Sequence, residues 1–286
     1  MTIPCPVCHD SSKTMIMESR LNIYKCDFCL HTFTDIQEGK QEEYNDDYFQ
    51  KTHKAWFNNP NYELFDFIYN RLLKLSGKEE IRLLDVGCGN GDFLKHVVRK
   101  NPAAKLFGID LVHNQYPGIH FIKGSIYDLK KKDFKAMFNV ICGLAVIEHV
   151  NDPHLFTQKL NSLLEPNGLL FIMTVNNNSL MYRLARYLNK IGVHTAYDRL
   201  YSIHHLQHYT NQSLKKLMEM NGLSVLLQRN HNYPMKAVDV PESNFLIEKI
   251  YKLIVWTIFF ISSVCGCGIY QTIICRKVSG KIMNIK

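Results

Sequence analysis

Several features are scarce in this 286-residue chain, and each absence narrows what it can be. Residues 1–20 are polar and hold no apolar core of a secretory leader, so the expected location is cytoplasmic. Without a leader, the nine cysteines point to a reducing compartment, where clustered thiols favour metal over disulfides. Concentrated charge is missing too. The net charge of +8 is spread along the chain, and its densest cluster, Lys130-Lys131-Lys132 with Lys135, is short. Such a cluster reads as a solvated face, which weighs against nucleic acid as the partner. An uncharged run of 23 residues, Leu253 to Cys275, is long enough for a membrane span, but Gly266 and Gly268 break it. It reads instead as a helix at about 245–263 followed by a strand at about 269–276. The length suits one large core and a small appendage.

What is present is organised around Leu83-Leu84-Asp85-Val86-Gly87-Cys88-Gly89-Asn90-Gly91-Asp92-Phe93-Leu94. An apolar run ends in a carboxylate, glycine then takes every second position, and a helical pattern opens at Asp92. This is strand, tight turn and helix N-terminus, the place where open α/β sheets bind ligands. Glycines let a ligand approach the main chain closely, and the helix start offers unpaired N–H groups. A dinucleotide fingerprint would need its third glycine at position 92, where Asp92 stands, so nicotinamide chemistry is disfavoured. The pattern present, Asp85-x-Gly87-x-Gly89-x-Gly91, resembles the first motif of class I S-adenosylmethionine (SAM) dependent methyltransferases. Strand and helix signals alternate from residue 81, as in a doubly wound sheet. The expected fold is α/β, a Rossmann-like, seven-stranded, mostly parallel sheet with a small N-terminal zinc ribbon.

The ribbon is read from Cys5-Pro6-Val7-Cys8 and Cys26-Asp27-Phe28-Cys29, two C-x-x-C pairs with 17 residues between them. Four thiolates, from Cys5, Cys8, Cys26 and Cys29, would close a tetrahedral Zn2+ site with no open position, so the metal is read as structural. Residues 1–40 are assigned to the ribbon and 41–80 to a helical lead-in. The lead-in holds an acidic, aromatic stretch from Glu42 to Phe49 and a helix from Tyr62 to Leu75. Residues 81–286 form the SAM-binding domain, with a substrate-side insertion at 177–210. The order ribbon, connector, methyltransferase domain resembles a bacterial group of sugar and small-molecule methyltransferases.

The resemblance implies cofactor contacts from Asp85, Gly87, Cys88, Gly89 and Gly91 in the loop. Asp110 ends the strand beginning at Lys105, about 20 residues beyond the loop, where a carboxylate accepts from both ribose hydroxyls. Leu111 would stack on the adenine, with Ser125 and Ile126 beside it and Leu144 at the end of the fourth strand. Residues 112–118 leave no room for the helix usual between the second and third strands. Glu148-His149-Val150-Asn151-Asp152-Pro153 resembles a hallmark of the class, including ubiquinone-type O-methyltransferases. Some relatives bind a divalent metal through E-x-x-E-H, but Ala145 holds the first position, which argues against a catalytic metal. His205-Leu206-Gln207-His208-Tyr209-Thr210 fits the family's H-L-x-H-[FY]-[ST] run. His149 is the first candidate base, followed by His205 and His208. A hydrogen-bonded corner at Glu148-His149 and a lid-ordering role for His205 and His208 stay open as alternatives.

The expected function is SAM-dependent methyl transfer to an oxygen or nitrogen of a small-molecule acceptor, a sugar or an isoprenoid or lipid-linked compound. A non-catalytic SAM-binding or zinc-ribbon adaptor that binds nucleic acid or protein is the second reading. The helix near 245–264 has more apolar surface than one core face needs, leaving peripheral membrane contact or a homo-oligomer partner to cover it.

Overall fold

The computed structural model describes residues 3–18, 22–35, 58–77, 80–134, 136–239 and 245–278. The acidic, aromatic stretch Glu42 to Phe49 lies outside the described residues. Strands β1 (Lys13–Glu18), β2 (Asn22–Cys26) and β3 (Thr32–Asp35) precede helix α1 (Tyr62–Ser76). Then follow β4 (Arg82–Val86), α2 (Asp92–Lys100), β5 (Lys105–Asp110), β6 (Ile119–Lys123) and β7 (Phe138–Leu144). Next come α3 (Pro153–Leu163), β8 (Leu164–Val175), α4 (Leu180–Lys190), α5 (Thr195–Leu200) and β9 (Gln207–His208). The remaining elements are α6 (Asn211–Met220), β10 (Leu223–His231), α7 (Phe245–Val264) and β11 (Tyr270–Lys277).

Seven strands form one sheet in the order β10-β11-β8-β7-β4-β5-β6. Strands β4 to β8 pair in parallel, and β11 runs antiparallel to both its neighbours, β8 and β10. The sequence expectation of a mostly parallel, seven-stranded sheet is met. Strand side chains alternate between two faces. Leu83, Val140, Phe171 and Ile274 pack with α1 and α2, whereas Leu84, Ile141, Leu170 and Ile273 pack with α3 and α6. Burial on both faces explains why these strands read as continuous apolar runs.

The helices begin where their caps predict. Asn61 accepts from the Leu64 amide, Asp152 accepts from the Leu155 amide ahead of Pro153, and Thr210 and Ser213 form a reciprocal capping box. Between β5 and β6 there is no helix, only a loop with a Tyr116–Ile119 bridge, as the short spacing required. Strand β8 starts earlier than the expected residue 169. Phe138 already pairs with Leu164, and the register shift that follows absorbs Asn167, a left-handed residue at φ 63°.

A second, four-stranded sheet has the order β1-β2-β3-β9. Its last strand comes from the insertion at 177–210, not from the N-terminal segment. The cysteine module and the substrate side of the large sheet therefore share a sheet.

Candidate functional site

Strand β4 delivers Asp85 to the edge of the glycine loop, and Gly87, Gly89 and Gly91 all have positive φ (64°, 51° and 75°). A Cβ on Gly91 would stand 2.7 Å from Phe121, and one on Gly87 would collide with Val146, so only glycine fits these two turns. Asp110, at the end of β5, accepts from the Gly89 amide at 2.8 Å through Oδ2 and from the Val112 amide at 3.1 Å through Oδ1. Each oxygen retains a second lone pair for a ribose hydroxyl.

Asp85 is fully buried, and its Oδ1 has no hydrogen-bond partner among the described residues. Burial, with the Asp110 charge added, pushes its carboxyl well above the usual range. An orphan buried acceptor beside a glycine cradle fits a cofactor that carries an ammonium group. A small cavity of about 110 Å³ opens there, lined by Asp85, Gly87, Cys88, Gly89 and Leu144 together with Asn61 ahead of α1. Cys88 supplies packing: its half-buried thiol is pushed upward by desolvation and lies under the loop against Gly108. Gly91 lines neither this cavity nor the larger one beside it, and serves as the left-handed start of α2.

The larger cavity, about 480 Å³, runs from Gly87, Gly89, Asp110 and Leu111 past Ser125, Ile126 and Leu144 to Glu148, His149 and His205. The Ser125 hydroxyl accepts from the Tyr127 amide and caps the turn at 126–128. Beyond the histidines the walls are apolar and aromatic, among them Val175, Met181, Leu200, Tyr233, Tyr251 and Val255. The sequence reading named none of these six, because α4, α5, β10 and α7 meet only through tertiary packing.

His149 Nδ1 lies 2.7 Å from the His204 carbonyl. A carbonyl oxygen only accepts, so Nδ1 carries the hydrogen and Nε2 is the accepting nitrogen. The His149 and His205 rings are 5.0 Å apart. Glu148, His149 and His205 each offer an atom within 4.8 Å of the others, a grouping that could hold a cation. The sequence argued against a catalytic metal from Ala145 alone; the third donor, His205, arrives from a segment 56 residues after His149.

His208 does not join this group. It lines no part of the cavity, is fully buried, and packs against Tyr201 at 4.6 Å. Burial pushes its ring down to about 3, so it stays neutral at every working pH. A base role in contact with an acceptor is therefore corrected to an internal packing role. The physical reason is β9, whose pairing with β3 turns His208 into the protein.

Glu148 is buried and accepts from the Thr174 hydroxyl at 2.9 Å. Burial raises its carboxyl to about 7, opposed by its own backbone amide and by Thr174. The folded-state value thus lies above the unfolded one, so its share of stability is complete below about pH 4.5 and is lost as pH rises through 7. A shift of this size corresponds to about 3 kcal/mol by pH 8. Glu148→Gln keeps the shape and an acceptor for Thr174, so melting curves from pH 5 to 8 should fall less steeply for the variant. Parallel falls would refute the assignment.

In the N-terminal module, Cys5 and Cys29 Sγ atoms are 3.6 Å apart and those of Cys8 and Cys26 3.5 Å. All four lie within 4.8 Å of one another, and none forms a disulfide. Zinc–sulfur bonds of about 2.3 Å in a tetrahedron put sulfurs about 3.8 Å apart, so the four thiols fit such an ion.

Residues 56–228, more than half of the chain, match the family described as methyltransferase domain. The mitochondrial ubiquinone biosynthesis O-methyltransferase of Dictyostelium discoideum is 25% identical over 171 residues, covering 51% of this chain and 53% of that protein. A ubiquinone biosynthesis O-methyltransferase of Histophilus somni is 31% identical over 159 residues, covering 48% of this chain and 66% of that protein. The match thus spans between half and two thirds of these relatives' own length. A SAM dependent methyltransferase from Archaeoglobus fulgidus has a similar structure, with a TM-score of 0.52 at 18% identity, covering 81% of this chain and 100% of that one. The 1,6-didemethyltoxoflavin-N1-methyltransferase of Burkholderia thailandensis, with bound S-adenosylhomocysteine, gives 0.53 at 11%, covering 87% and 96%. At these identities the structural likeness is one of fold.

Proposed function

Because the chain belongs to the class I SAM-dependent methyltransferase family, we propose that it moves the SAM methyl group to an oxygen of a small-molecule acceptor. The observation that carries this reading is the cavity itself, continuous from Gly87 and Asp110 to His149 and His205. SAM, when bound, supplies a methyl group made electrophilic by its sulfonium. Asp110 would hold the ribose, Leu111, Ser125 and Ile126 the adenine, and Asp85 with Gly87 and Gly89 the methionine portion. The protein's own part would be to align the acceptor oxygen, exclude water and take up its proton, and His149, which lines the cavity, is the base in this reading. Two curated relatives are O-methyltransferases of ubiquinone biosynthesis, and the apolar and aromatic walls suit an acceptor with an apolar body better than a bare sugar. Zn2+ in the four-cysteine cluster is structural in this reading.

Calorimetric titration with SAM, S-adenosylhomocysteine and NAD tests the cofactor. Both adenosyl ligands should bind and NAD should not. Asp110→Ala removes two charge-assisted hydrogen bonds and should weaken SAM binding by about 100-fold or more. Unchanged affinity in the variant, or NAD binding, would overturn the reading.

A second reading comes from the grouping of Glu148, His149 and His205, which would hold a divalent cation able to polarise the acceptor oxygen. Chelation that leaves the cysteine-bound zinc in place, checked by metal analysis, separates the two: loss of transfer restored by added Mg2+ supports the cation, and full activity supports the histidine base alone.

A further inference from the structure

Helix α7 is buried along one stripe only. Val255, Ile258, Phe259 and Ser262 face the protein, and Tyr251 and Val255 reach the large cavity. A surface helix normally turns polar residues outward. Here Leu253, Trp256, Phe260 and Val264 are all more than half exposed, and the Trp256 and Phe260 rings stack at 5.6 Å. Charge is confined to the first half, at Glu248, Lys249 and Lys252. No helix among the described residues is long and apolar enough to cross a membrane.

We propose that the outward face of α7 docks on an anionic lipid bilayer, and that the acceptor passes from the lipid into the cavity beside its inner face. This rests on the reading of an acceptor with an apolar body. The cavity decides the occupant. One helix separates the apolar and aromatic end of the cavity from the exposed face, with Tyr251 and Val255 on the inside and Trp256 on the outside. An acceptor matched to those walls partitions into membranes rather than water, and an enzyme that uses it gains by collecting it there. The composition also suits an interface. Tryptophan, phenylalanine and leucine fill the apolar side, Lys249 and Lys252 lie on the same helix, and Arg199 stands at the cavity wall. The chain's net charge of +8 adds attraction to anionic headgroups.

Co-sedimentation of the full chain with vesicles tests the proposal, using phosphatidylcholine alone and phosphatidylcholine containing phosphatidylglycerol. The protein should bind the anionic vesicles more strongly, with salt weakening the difference. In a Trp56→Phe background, the emission of Trp256 should shift to the blue on binding. The double variant Leu253→Glu, Phe260→Glu changes only exposed positions and should lower vesicle partitioning about tenfold or more. Its SAM affinity, measured in the same preparation, should equal that of the wild type. Loss of SAM binding in the wild type would strike the methyltransferase reading, whereas absent vesicle binding with intact SAM binding would overturn only the docking surface. A wild-type dimer that the double variant converts to monomer, with no vesicle binding by either, would also overturn it and assign the face to a second copy of the chain.

Discussion

Replacing His149 with alanine should lower kcat by about 10²–10⁴-fold and leave SAM affinity within a few-fold. A base role depends on which ring nitrogen carries the proton. The His204 carbonyl fixes the hydrogen on Nδ1 at 2.7 Å, which makes Nε2 the accepting nitrogen of the neutral ring. The ring lines the cavity together with Glu148 and His205 but has no place at the glycine loop, where Asp110 and Gly89 hold each other. Removing it therefore spares the cofactor side. A proton taken up during transfer stabilises the transition state and not the bound substrates, so kcat and kcat/KM should fall together. A base must be unprotonated to act. Loss of an acidic limb in His149→Ala would therefore mark the ring as the base. Glu148→Gln is the companion variant, since its buried carboxyl, raised to about 7, would give a limb of the same sign. If His149→Ala retains the limb and most of the rate, alignment alone carries transfer or Glu148 is the base.

Much of this architecture was legible in the sequence, for local reasons. The glycine loop, the Asp152-Pro153 helix start and the apolar strands follow from backbone freedom, capping and burial on both faces, each a matter of a few adjacent residues. The two C-x-x-C pairs foretold that four thiols would converge, because each pair is itself a turn. The failures are all non-local. His208 looked like a partner of His205, three residues away, but pairing of β9 with β3 sends it inward. The grouping of His205 with Glu148 and His149 was invisible because a left-handed Ala145 and the Leu206 amide bonded to the Glu148 carbonyl bring two distant segments together. Neither pattern nor propensity encodes which edge of a small module finds a partner.

If the four thiols hold Zn2+ as proposed, that shared edge ties the cysteine module to the proposed acceptor end of the cavity, and stripping the metal should impair methyl transfer while S-adenosylhomocysteine still binds. Thr32 and Phe33 pair with His208 and Gln207, the Thr34 amide donates to the Leu206 carbonyl at 2.9 Å, and the Thr34 hydroxyl donates to the His205 carbonyl at 3.2 Å. His31 donates to the Gln207 side-chain oxygen at 2.9 Å, and its own carbonyl accepts from the Cys26 amide at 2.8 Å. One step thus leads from a thiol ligand to β9, and another from β9 to His205. The module is too small to bury a core of its own, so the bound ion would carry most of its order, on the order of 10 kcal/mol or more at neutral pH. Without the ion β3 would fray, β9 would lose its partner, and His205 would leave the cavity wall. The glycine loop follows β4 and Asp110 ends β5, whose neighbours in the sheet are β7 and β6, and among the described residues neither receives a hydrogen bond from the module. Cys26→Ser or mercurial release of the metal should therefore lower kcat by about 100-fold or more, a loss comparable to displacing a catalytic group, with adenosyl-ligand affinity within a few-fold. Metal analysis should give one zinc per chain in the wild type. Full activity in a zinc-free protein would separate the module from the acceptor site. Loss of adenosyl binding in step with the metal would mean that the module holds up the large sheet as a whole, through the packing of Val7 and Phe33 on the side of the sheet that carries α3 and α6.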